Sequence, residues 1–166
     1  MSGGTPGVGR ARAAAVVAAL IAAPLSLAGC VPAIPKTEMV AAVSAGVLAA
    51  SPEVRDVLVT ANDQVAGYSV WVQAYVDPGT TPDAIVEMLD AVIPATIASA
   101  PVRPASLRFT VDAAPKNEGD RIGSGRLIDL EIAKALGLGG LYRNSLIGGT
   151  GSEFEAIYGT WDELHG

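Results

Sequence analysis

The chain contains one cysteine, Cys30, and one histidine, His165, and their scarcity bounds the chemistry it can do. Nucleophilic catalysis needs a base held within hydrogen-bond reach of the nucleophile, and zinc sites need several Cys and His ligands. His165 lies beside the C-terminal Gly166, where fraying is expected, and no second histidine or cysteine is present to join it. Cys30 has no partner for an internal disulfide. No zinc-protease pair, phosphate-loop lysine or dinucleotide fingerprint occurs. The sequence therefore assigns no catalytic residue, no metal ligand and no cofactor beyond what the modification of Cys30, below, would add.

Three weaker constellations remain. Gly148-Gly149-Thr150-Gly151-Ser152 precedes a helix, where free backbone N–H groups hold anions, although no lysine follows to complete a phosphate loop. Asp112 to Asp120 is an acidic loop with carboxylates of the kind that hold calcium, at a spacing that matches no calcium loop. Trp71 and Tyr75 stand four residues apart on one face of a strand. With Arg108 on a neighbouring strand they would form an aromatic–arginine patch, the residue types favoured at interface hot spots.

Charge narrows the partners. Lys and Arg number 11 against 17 Asp and Glu, a net charge of −6. Two of the arginines, Arg10 and Arg12, fall in the first 12 residues. Without them nine cations face 17 acids, a net charge of −8. With no basic run, nucleic acid is excluded as a partner, since phosphate contacts need clustered Lys and Arg. Docking on anionic lipid by charge alone is disfavoured for the same reason.

The N-terminal 30 residues are organised in three parts. Met1 to Arg12 carries positive charge, Ala13 to Leu27 is uncharged and apolar, and Leu27-Ala28-Gly29-Cys30 closes the segment. This is the order of a cleaved export signal. The apolar run is shorter than the ~20 residues of a spanning helix, and Pro24 interrupts it. Leu27-Ala28-Gly29-Cys30 resembles the lipobox of bacterial lipoprotein precursors. The resemblance covers the first 30 residues only. It implies that Leu27, Ala28 and Gly29 form the recognition set, that Cys30 carries a covalent diacylglyceryl lipid, and that the chain is cut so that Cys30 becomes the new N-terminus. Two acyl chains give stable membrane attachment where one is marginal. Residues 1–29 then form a signal peptide, and 30–36 a lipidated N-terminus with a short Pro-containing spacer. Residues 37–166 form a single domain outside the cytoplasmic membrane.

Hydropathy patterning supplies the elements that would position these residues. Thr37 is expected to cap a helix over 38–50 with Val40, Val43, Val47 and Leu48 facing inward. Residues 55–61 and 67–76 read as a hairpin around a turn at 62–66. In the second strand Tyr68, Val70, Val72, Ala74 and Val76 share one face, and Ser69, Trp71, Gln73 and Tyr75 the other. Thr81-Pro82 begins a helix with Ile85, Met88, Leu89, Val92 and Ile93 on one stripe, which Pro94 should kink or end. A third strand spans 106–113, with Arg108, Thr110 and Asp112 outward. Residues 114–125 form a polar loop, 129–136 a short helix, and 141–147 a fourth strand. The capping-box spacing of Ser152 and Glu155 starts a last helix that stops at Gly159.

These elements predict an α+β fold: a small two-layer α/β sandwich of ferredoxin-like character, with a three- to four-stranded, mainly antiparallel sheet and helices on one face. The expected function is a membrane-anchored envelope lipoprotein that binds an envelope protein or ligand without catalysis. The alternatives are a wall- or lipid-acting enzyme using paired carboxylates and an accessory solute-binding lipoprotein.

Overall fold

The computed structural model describes residues 34–166. Helix α1 (Lys36–Ala50) leads into strand β1 (Asp56–Gln64), strand β2 (Gly67–Val76), helix α2 (Pro82–Ser99) and strand β3 (Pro104–Ala113). Helix α3 (Leu130–Ala135), strand β4 (Tyr142–Arg143), strand β5 (Leu146–Thr150) and helices α4 (Gly151–Tyr158) and α5 (Trp161–His165) complete the order. The strands form one sheet in the order β1-β2-β3-β5-β4. The β2–β3 pair is parallel and the other three pairs are antiparallel. The fold is thus the expected α+β sandwich, with five strands. Its parallel strands are direct neighbours, so the connectivity is not the split βαβ of ferredoxin-like sheets.

Alternation of apolar and polar residues sets which face is buried. Val57, Val59 and Ala61 of β1, Val70, Val72 and Ala74 of β2, and Leu107, Phe109 and Val111 of β3 point into the core. They meet Met39, Val43 and Val47 of α1 and Ile85, Met88, Leu89, Val92, Ile93 and Ile97 of α2. Phe154 of α4 closes the core edge-to-face on Phe109, ring centroids 5.5 Å apart. The C-terminal aromatics therefore join the helical layer, and no helix covers the opposite sheet face.

Several local expectations are corrected. Helix α1 starts one residue before Thr37, with Pro35 in the N-cap position and no side-chain cap, and Leu48 points to solvent while Met39 faces the core. The hairpin turn is two residues long, because β1 runs on to Gln64 opposite Gly67. Pro94 does not end α2: the helix continues to Ser99, its inward stripe extended by Thr96 and Ile97. The span 141–147 folds as a tight hairpin of its own. Asn144 (φ 49°) and Ser145 (φ 65°) turn between β4 and β5 with the two positive φ values of a type I′ turn. Helix α4 is capped by Thr150, two residues before Ser152, with Glu153 closing the capping box. A further helix, α5, follows Gly159, capped likewise by Thr160 and Glu163.

Candidate functional site

The face of the sheet away from the helices is ordered in rows by the strand register. One row runs Thr60, Trp71, Arg108, Gly148; the next pairs Leu58, Gln73 and Thr110; the last pairs Asp56, Tyr75 and Asp112. Trp71, Tyr75 and Arg108 thus share a face, as the alternation requires.

The loop after β3 divides that face. Lys116 reaches Asp56 Oδ1 (2.9 Å) and the Val57 carbonyl (3.2 Å) on β1. The chain then crosses β2, where Gly123 sits against the Trp71 ring. It returns to β3 with Leu127 N–H donating to the Val111 carbonyl at 3.0 Å. Gly125 lies so near that carbonyl that an added Cβ would stand 2.6 Å from its oxygen, so only glycine fits. Residues 114–127 are therefore a strap across the sheet.

Beneath the strap the polar groups are satisfied by Gln73, which has no exposed surface. Gln73 Oε1 accepts from Ser124 N–H (3.1 Å), Thr110 Oγ1 (3.2 Å) and Gly125 N–H (3.4 Å). Gln73 Nε2 donates to the Tyr75 hydroxyl (2.9 Å) and Ser124 Oγ (3.0 Å). Tyr75 is wholly buried here. Burial pushes its phenol up to about 12, the nearby Asp120 carboxylate adds to the shift, and the Gln73 bond opposes it. Of the three residues expected to form a contact surface, Tyr75 is thus withdrawn by the strap, whose path a polar loop sequence does not specify.

Trp71 and Arg108 remain half-buried at the surface. The Arg108 guanidinium carbon stands 4.3 Å from the Trp71 ring centroid, a cation–π pair. Beside it lies a depression of about 360 Å³ whose lining includes Arg108, Arg143, Leu146, Gly148 and Glu153. Its floor is open because residue 148 has no side chain: a Cβ there would stand 2.8 Å from Leu146 Cδ2 and 3.2 Å from Arg108 Cγ. Arg143 and Leu146 lie opposite each other in the β4–β5 hairpin, which sequence reading took as one strand and so did not place beside Arg108.

The other candidates resolve differently. At the start of α4, Glu153 Oε2 accepts from Thr150 N–H (2.7 Å) and Thr150 Oγ1 (2.9 Å), so the chain's own carboxylate occupies the position an anion would take. In the acidic loop, Asp112 Oδ1 accepts from Ala113 N–H and Asp120 Oδ2 from Asn117 N–H, each at 2.9 Å. Among the described residues no three His, Cys, Asp or Glu side chains gather as a metal site. His165 stacks on Trp161, centroids 4.4 Å apart, with Nδ1 2.9 Å from the Ala98 carbonyl. This docks α5 on α2 and gives the imidazole a structural setting. The carboxylates with perturbed titration are held low: Asp56 by Lys116, Asp77 by Arg55, Glu153 by Thr150 and Glu163 by Thr160. None of these four has the raised pKa of a general acid.

Leu27, Ala28, Gly29 and Cys30 lie outside the described residues. No helix of the described residues is long and apolar enough to cross a membrane. No family model, curated protein or solved structure matches the chain.

Proposed function

We propose that the protein is a lipid-anchored domain of the bacterial cell envelope that works by binding, with the open part of its sheet as the contact surface. The observation that carries this reading is the Trp71–Arg108 cation–π pair, half-buried beside an open depression on the face that no helix covers. Trp and Arg are the side chains most enriched where binding energy concentrates. The lipobox resemblance at Cys30 supports the anchor.

The anchor is tested by Cys30→Ser. The substitution is expected to abolish the lipid mass on the mature chain and release it from the membrane fraction; unchanged fractionation and mass would overturn this half of the reading. The contact surface is tested by a photo-crosslinking amino acid at position 146 in intact cells. A discrete adduct is expected that is lost in Trp71→Ala and Arg108→Ala, with thermal melting of both variants close to that of the parent. An adduct indifferent to both substitutions, or none at all, would remove the face from consideration.

A further inference from the structure

Nine lysines and arginines fall within residues 34–166. Five are paired with carboxylates: Lys36 with Asp63, Arg55 with Asp77, Arg103 with Glu155, Lys116 with Asp56 and Lys134 with Glu131. Arg108, Arg121, Arg126 and Arg143 have no carboxylate partner among the described residues. Their positions are not scattered. Arg108 and Arg143 line the depression beside the Trp71–Arg108 pair, and Arg121 and Arg126 belong to the strap, residues 114–127. Arg126 and Arg143 donate to backbone carbonyls and Arg108 lies over Trp71, so these cations are placed by the fold without being neutralised by a carboxylate of the described residues.

The chemistry of the depression narrows what it accepts. The Arg108 guanidinium lies with its carbon over the Trp71 ring. Its N–H groups have no hydrogen-bond acceptor among the described residues, so its edge is free for the two parallel bonds that a carboxylate makes. Arg143 Nη1 is held by the carbonyls of Tyr142 (2.5 Å) and Gly140 (3.2 Å), which fixes a second charge at the rim. Between them the surface is largely apolar, made by Leu146 and the bare backbone of Gly148. Glu153 adds one negative charge to the lining, engaged in the cap of α4. An apolar floor between two arginines suits a ligand carrying both acidic and apolar groups, and the Glu153 carboxylate opposes the dense negative charge of a bare polyphosphate.

We infer that the Arg108–Arg143 depression takes an acidic, partly apolar segment of a partner protein. A carboxylate sits on the free edge of Arg108, and an apolar side chain lies on Leu146 and Gly148. This rests on the reading of the open face as the binding surface and adds the chemistry of its partner.

The test uses the full-length protein in a neutral detergent with Trp161→Phe, which leaves Trp71 as its one tryptophan. The probe is a blocked synthetic peptide of alternating glutamate and leucine. A saturable change in Trp71 emission is expected. It should need at least tenfold more peptide in Arg108→Ala and in Arg143→Ala, and severalfold more in Arg108→Lys, which keeps charge but not the bidentate edge. Lys134→Ala, on α3, should behave as the parent, and a glutamine–leucine peptide should give no change. The inference is overturned by equal binding to the arginine variants or by no binding of the acidic peptide. It is also overturned if inorganic pyrophosphate or a short-chain phosphatidylglycerol produces the change and the peptide does not. Melting curves separate loss of the site from loss of the fold. If the peptide fails while the crosslink from position 146 persists, the face binds a partner of other chemistry and only this inference falls; if both fail, both readings fall.

Discussion

Glu155 is the charged residue whose surroundings differ most from those of its peers. Its side chain is 7% exposed, whereas the other four ion pairs place both partners substantially in water. Exposed pairs contribute little, because water screens the attraction and two long side chains must be held still. A buried carboxylate is different, since removing its cation leaves it desolvated and unmatched. Arg103 grips both oxygens of Glu155, through Nε at 2.8 Å and through Nη2. The Arg103 side chain is itself 60% exposed, so water can enter where it leaves and the full cost of an orphaned charge is not reached. Arg103→Ala should therefore cost about 1–2 kcal/mol in urea denaturation. Arg103→Lys should cost less, because it keeps the charge while losing the fork, and Glu155→Gln should stay below about 1 kcal/mol because it removes the charge together with the need to balance it. Arg103→Ala within experimental error of the parent would mean that Glu155 is already hydrated.

At the scale of elements, the strap over residues 114–127 is held to the sheet chiefly by one amide. Gln73→Ala would leave the Ser124 and Gly125 N–H groups and the Thr110 hydroxyl without an acceptor in a closed space, at a cost of about 2–3 kcal/mol. The same substitution should free the strap locally. Trypsin cleavage after Lys116, Arg121 or Arg126 is expected to rise at least tenfold under conditions where the sheet stays folded, read by mass spectrometry of the fragments. Cleavage distributed evenly over the chain would show that the strap is held by other contacts. The strands and helices around it were legible in the sequence because burial imposes a period: Val70, Val72 and Ala74 alternate inward, and Ile85, Met88, Leu89, Val92 and Ile93 recur at helical spacing. The strap was not, since its polar and glycine residues state that it is a loop without stating where it lies. Gln73, between Trp71 and Tyr75 on the face read as outward, finds partners on the sheet in Tyr75 and Thr110 and in the strap in Ser124 and Gly125, and only the last two depend on the loop's path. The β4–β5 hairpin was missed for a related reason: its turn uses Asn144 and Ser145 in left-handed conformations, and Ser gives no sequence signal for one. The Arg143 half of the candidate site was lost with it.

For the molecule as a whole, the surface carboxylates and the buried phenols predict how stability depends on pH. Asp56, Asp77, Glu153 and Glu163 titrate below their ordinary values in the folded state, so their contribution is present above the unfolded carboxylate range near pH 4 and lost as pH falls through the lowered values. These groups sit at the surface, and protonation also relieves the repulsion of an acidic chain, so the acid limb should be shallow. The alkaline limb should be steeper. Tyr75, under the strap, and Tyr158, the half-buried last residue of α4, are both pushed up to about 12, with burial the largest cause. A folded pKa above the unfolded value near 10 means that stability is fully present below pH 10 and is lost as pH rises towards 12. For Tyr75, with no exposed surface, the loss amounts to roughly 2–3 kcal/mol by the upper end of that window. Thermal melting should thus be nearly flat from about pH 5 to 10 and fall above it. Tyr75→Phe tests the assignment directly. In a titration followed by tyrosinate absorbance at 295 nm, it should remove an ionisation near 12, and melting should become less sensitive to pH between 10 and 12. Loss of an ionisation near 10 instead would mean that the phenol reaches water in the folded state. The strap would then be open in solution, and Tyr75 would rejoin Trp71 and Arg108 on a contact surface larger than the one described.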